Sequence, residues 1–125
     1  MKNGKRISKV VIRRMTDTDP DTSYLGEYSN KAETDYARME SLHRGNWFYM
    51  GLRAEAEVFV PCGQSSISQG ITSGGLYGIE SDSGKDYIAE VEQEELAELR
   101  KQLSALGFSK RAIATACKGV ERTEE

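Results

Sequence analysis

A chain of 125 residues with 38% apolar and 30% charged side chains is long enough to bury one core without disulfides or a structural metal, and a single domain over 1–125 is expected. No apolar run approaches the ~20 residues of a membrane span, and the opening MKNGKRISKVVIRRM lacks the apolar stretch and cleavage site of a signal peptide, so a cytoplasmic protein with no membrane role is expected. Cys62 and Cys117 are too few for a disulfide framework and belong to no CxxC or Cys/His cluster, which reads as two reduced thiols.

The net charge of -3 conceals a polarity along the chain. Lys2, Lys5, Arg6, Lys9, Arg13 and Arg14 crowd the start without an acid, whereas Glu80, Asp82, Asp86, Glu90, Glu92, Glu94, Glu95 and Glu98 face a single Lys85. Such asymmetry favours charge-steered association, or pairing of the two segments within the fold.

In chain order, the β-branched ISKVVIRRM predicts a strand, and TDTDPDTS a turn in which Pro20 disfavours helix at Asp19. Residues 22–28 read as a short return strand. A helix is predicted from Asn30, a capping residue with Glu33 reaching back, to Gly45, with Ala32, Tyr36, Met39 and Leu42 or His43 on one stripe. WFYMGLRAEAEVFVP alternates strictly: Phe48, Met50, Leu52, Ala54, Ala56, Val58 and Val60 point one way, and Arg53, Glu55 and Glu57 the other. A hairpin turn at PCGQ returns it as SSISQGITS. From Ser83, a capping residue with Asp86 three positions on, Tyr87, Ile88, Val91, Leu96, Leu99, Leu103 and Leu106 form a helical stripe of about six turns. Gly107 stops that helix, Phe108 folds back on it, Ser109 caps a short last helix through Lys118, and the tail ERTEE frays. The expected fold is α+β: an antiparallel sheet of three to four strands against a long C-terminal helix, with one shorter helix before and one after.

ITSGGLYGIESDSGKDY, residues 71–87, is the run that most resembles a ligand loop. It has neither the Walker spacing nor GxGxxG, and Glu80 and Asp82 would oppose a phosphate, so the glycines are expected to serve a turn or bulge. Asp17, Asp19 and Asp21 alternate as in a calcium loop, but Thr22 and Tyr28 stand where that loop needs glycine and glutamate. No metal or other cofactor is expected. His43 is the one histidine and sits in the last turn of a predicted helix, where the terminal carbonyls and dipole give it a structural role. Glu55 and Glu57 share a strand face, and paired carboxylates perform acid and base work when a cleft holds them. No spacing joins His43, Cys62, Glu55 and Glu57, and no GxSxG elbow is present, so no enzyme is expected.

The succession DYARMESLHRGNWFYMGLRAEAEVFV, then ITSGGLYGIESDSGKDYIAEVEQEELAELRKQLSALGFSKRAI, resembles a group of small uncharacterised proteins of bacteriophages and other bacterial mobile elements. The resemblance covers roughly the last two-thirds of the chain; it implies a mobile-element setting and a bacterial host cell, and supplies no catalytic residue. With that setting, the leading expectation is a non-enzymatic inhibitor of a host defence complex, anti-CRISPR-like, whose partner is a host protein or defence ribonucleoprotein. Glu80, Asp82, Asp86, Glu90, Glu94 and Glu98 would enter a groove made for nucleic-acid phosphates. The alternative is a small nucleic-acid-binding regulator using Lys2, Lys5, Arg6, Lys9, Arg13 and Arg14 on phosphates, with Trp47, Phe48 and Tyr49 adding stacking. Whether the long helix pairs with a second copy as a homodimer stays open at this level.

Overall fold

The computed structural model describes residues 4–17 and 33–124, with residues 33–36 described as backbone alone. In chain order the elements are β1 (Arg6–Thr16), α1 (Glu33–His43), β2 (Tyr49–Cys62), β3 (Ser65–Thr72), β4 (Leu76–Glu80), α2 (Lys85–Ala105), α3 (Lys110–Lys118) and β5 (Glu121–Glu124). Lys2, the predicted strand at 22–28, the Asn30 cap with Ala32, and Asp19 and Asp21 lie outside the described residues.

The period-2 pattern of β2 sets the architecture. Met50, Leu52, Ala54, Ala56 and Val58 are all buried on one face, and β1 pairs antiparallel along nearly the whole strand, from Arg6 opposite Phe59 to Thr16 opposite Met50. In that register Val10 and Ile12 join the same face, and a bulge at Ser8 shifts the pairing between Ile7 and Lys9. The other edge of β2 is shared: β3 pairs with Glu55 to Cys62 and β4 with Tyr49 to Leu52, both antiparallel. The fifth strand changes the class of the sheet. Residues 121–124 do not fray but run parallel to β1, with Val11 opposite Glu121 and Arg14 opposite Glu124. The α+β class holds, but the sheet is mixed and five-stranded instead of antiparallel with three to four. A four-residue strand reading ERTE has no hydrophobic period to announce it; it forms because β1 leaves an open edge whose backbone groups need partners.

Both α2 and α3 pack on the inner face, where Val91, Leu96, Leu99, Leu103, Phe108 and Ile113 close one core with the β1 and β2 residues. Ile88 joins its margin, whereas Tyr87 and Leu106 of the predicted stripe stay exposed. The start of α2 differs from expectation: its cap is Gly84, without a side-chain cap, and Ser83 instead donates its hydroxyl to the Glu80 carbonyl at 2.6 Å. Its end is a Schellman turn. Gly107 takes φ 97°, its N–H donates to Ser104 O, and the Phe108 N–H donates to Leu103 O at 3.1 Å while the ring folds into the core. Ser109 then accepts from Ala112 N and starts α3. A separate small cluster seats α1, with Met39 and Leu42 against the buried pair Trp47 and Tyr49.

The glycine-rich segment contains a strand that the sequence conceals. Leu76–Glu80 forms β4, with Ile79 opposite Met50 and buried. Tyr77 lies across Gly51 so closely that a Cβ there would overlap its ring, and Gly75, at φ 85°, lies beneath the same ring. Glycine on β2 is thus a condition for the β4 aromatic to lie flat on the sheet. Gly51→Ala is expected to cost about 1–3 kcal/mol through forced displacement of the ring. In a Tyr77→Ala background the same change is expected to be close to neutral, and a denaturation double-mutant cycle reads the difference.

Candidate functional site

The chemistry of this chain is a matter of where its carboxylates go. Glu95, half-buried on α2, accepts through one oxygen from Ser73 Oγ at 2.6 Å and Gly75 N at 2.9 Å. Ser73 is buried and itself accepts from Ala54 N. The glycine-rich run is therefore bound from beneath by a glutamate, which occupies the backbone amide a phosphate would need. On the other side of the run, Gly78 N donates to Asp17 Oδ2 at 2.9 Å. Asp17, the one described member of the calcium-like triplet, thus ties the end of β1 to β4.

Among the described residues Glu92 is the one buried carboxylate, with 4% of its surface exposed. Arg14 of β1 donates to Oε2 at 3.0 Å, and Arg122 of β5 donates through Nε and Nη2 to both oxygens at 2.9–3.2 Å. Burial pushes the Glu92 carboxyl upward, but the Arg122 and Arg14 hydrogen bonds outweigh it and hold the group below the usual carboxylate range. The interaction fastens α2 to two strands at once and gives β5 its only buried anchor among the described residues. On the outer sheet face, Glu55 accepts from Arg13 Nε at 2.9 Å and Arg53 Nε at 2.6 Å. Arg13 first, against burial, and then Arg53 lower its pKa.

Two of the six carboxylates expected at a partner interface are engaged within the fold. Arg38 of α1 donates to Glu80 Oε1 at 2.6 Å and to both oxygens of Asp82, and lies over the Trp47 ring at 3.7 Å. Its hydrogen bonds hold the Asp82 carboxyl below the usual range. The cluster Arg38, Glu80, Asp82 and Trp47 is the clasp that holds α1 to the sheet. The other four, Asp86, Glu90, Glu94 and Glu98, are exposed on α2 and form no ion pair among the described residues. Successive members lie four residues apart, about 6 Å of helix rise, in a row about 18 Å long.

The basic N-terminal arm is divided in the same way. Arg13 and Arg14 are committed to Glu55 and Glu92. Lys5 donates to the Leu106 carbonyl at 2.7 Å and lies over Phe108, and Arg6 lies over Phe59 at 4.3 Å. Among the proposed stacking aromatics Trp47 and Tyr49 are core, in edge-to-face contact at 4.9 Å, and only Phe48 is exposed.

The four residues with reactive side chains occupy separate places. His43 is exposed at the end of α1, six residues before β2 begins, and Cys62 is exposed at the far end of β2, a strand roughly 40 Å long at about 3.3 Å per residue. Glu55 is held by two arginines between them, and Glu57 accepts from Ser68 Oγ at 3.4 Å. Among the described residues no group of three or more His, Cys, Asp or Glu is placed to hold a metal ion, and no helix is long and apolar enough to cross a membrane. No family model, curated protein or solved structure matches the chain.

The roles of Glu92, Glu95 and Arg38 escape sequence reasoning, because each depends on a partner 9 to 78 positions away. The one readable sign is that Glu92 and Glu95 fall on the same helical side as Val91, Leu96 and Leu99. Because the folded pKa values of Glu92 and Glu55 are depressed, the unfolded chain binds more protons in acid. Their contribution is present in full above the ordinary carboxylate range and is lost as pH falls through the folded pKa values. Denaturant midpoints are thus expected to fall below about pH 5. Glu92→Gln should lower stability at pH 7 by about 1–3 kcal/mol, less than for a fully buried pair because both arginines keep contact with water, and should flatten the acid limb.

Proposed function

We propose that this protein is a non-enzymatic binding protein of phage or mobile-element origin that inhibits a host defence complex, anti-CRISPR-like, by presenting the outer row of α2 to a basic groove. The observation that carries the reading is the sorting of acids on α2. Glu92 and Glu95 are bound inside, while Asp86, Glu90, Glu94 and Glu98 are exposed and without an ion-pair partner among the described residues. Like charges four residues apart disfavour a helix by about 0.2–0.5 kcal/mol per pair, so the row is a cost to the fold that a cationic partner would offset. A rigid line of carboxylates spaced at about 6 Å meets the arginines and lysines of a nucleic-acid groove as phosphates do. Glu80 and Asp82 are outside this contact set, since both are ion-paired with Arg38 within the fold.

The test separates binding from folding. In a bacterial cell whose CRISPR system clears an incoming plasmid, expression of the chain is expected to restore transformation. Replacing Glu90, Glu94 and Glu98 by lysine is expected to abolish the effect by tenfold or more. Glu94→Gln is expected to leave the melting temperature unchanged or slightly higher, because it removes two like-charge pairs. Protection that persists in the triple variant would remove the α2 row from the mechanism.

A further inference from the structure

A trough of about 660 Å³ lies between the start of β1 and α3. Strand β5 covers β1 only from Val11 to Arg14, so among the described residues the edge of β1 before Val11 has no strand beside it on that side, and α3 forms the opposite wall. Lys5, Arg6, Lys9 and Arg111 line the trough against one carboxylate, Glu121, with Ser8, Ser109 and Thr115 between them. Helix α3 carries Lys110, Arg111 and Lys118 and no acid. In a chain whose net charge is -3, this is a local concentration of positive charge, and Lys9, Lys110 and Arg111 are exposed and form no ion pair among the described residues.

We propose that this trough binds the phosphodiester backbone of single-stranded nucleic acid, independently of sequence. Lys5, Arg6 and Lys9 come from the start of β1 and the residue before it, and Arg111 from α3, so the cations are supplied from two walls, which suits a chain of phosphates better than a single anion. Its floor is formed by Ile7, Ala112 and Ala116, and no aromatic ring lines it, so bases would not be read by stacking within it. A concave channel accepts one strand, whereas a duplex is read by an element that projects into a groove. The site unites three members of the N-terminal arm with α3, which lies more than 100 positions later, and it leaves out Arg13 and Arg14. It is independent of the α2 row and of the proposed inhibitory activity.

The experiment is fluorescence anisotropy of the full chain with a labelled oligothymidylate across a salt series, with light scattering on the same samples. Binding with Kd of about 1–100 μM is expected at low salt, with log K falling by about 0.7 per neutralised phosphate per log unit of salt, a slope of about -2 to -3 for the lining cations. Lys9→Ala with Arg111→Ala changes two exposed side chains; it is expected to keep the melting temperature, weaken binding about tenfold and reduce the slope by about 1.4. Absence of binding at low salt, or unaltered affinity in the double variant, overturns the proposal. Full competition by inorganic phosphate at equal phosphate concentration would reassign the trough to a small anion and overturns it as well. So would low-salt oligomers that dissolve in the double variant without oligonucleotide binding, which would place the acidic row of a second copy in the trough.

Discussion

The seating of α2 on the narrow face of β2 is the constraint from which the rest follows. Ala54 and Ala56 are buried in mid-strand, between Leu52 and Val58, and their small size lets a helix bearing Leu96, Leu99 and Leu103 approach closely and close the core. Once those leucines are turned inward, the helical repeat dictates every other position on α2. Glu92 and Glu95 fall beside the core and must find donors, while Asp86, Glu90, Glu94 and Glu98 fall in water. One packing decision thereby divides an acid-rich helix into a structural side and an exposed side.

The structural side shows what the buried carboxylates require. Glu92 draws in Arg14 and Arg122, and in doing so recruits the C-terminal residues into the sheet as β5. Glu95 takes the amide and hydroxyl of the glycine-rich run. Arg38 takes Glu80 and Asp82, tying α1 to the strand that the run contains. These pairs satisfy the rule that charge removed from water needs a partner. They also explain why neither charged segment of the sequence survives intact as a surface: each loses its best-placed members to the interior, and what remains exposed is narrower and better defined. The remainder comprises an acidic row on α2 and a basic trough at β1 and α3, two surfaces of opposite sign that a chain of small net charge keeps apart.

Local patterns were legible where local physics decides. The alternation through β2, the Gly107 stop with Phe108 folding back, and the Ser109 cap follow from side-chain period, backbone freedom at positive φ, and the unpaired amides of a helix start. Strands β4 and β5 were not legible. Both are short; β5 reads ERTE without an apolar residue, β4 is embedded in a glycine-rich run, and each exists because β1 or β2 offers an unpaired edge, in β4 with a glycine on the neighbouring strand to receive Tyr77. Of the six carboxylates expected at a partner interface, four are exposed as the helical period implies, and two are clasped by an arginine 42 to 44 positions earlier, which local pattern does not reveal.

The α+β class, the long central strand, the main helix stops and the contrast of charge between residues 1–14 and 80–98 are written locally in the chain. Period, backbone freedom and composition act over a few neighbouring residues, and one dimension suffices to read them. The parallel fifth strand, the partners of Glu92, Glu95 and Arg38, and the choice of which charges meet solvent emerge only when the elements pack. Those outcomes depend on desolvation and on distances between segments far apart in the chain, which are fixed only when α2 settles on the alanines of β2.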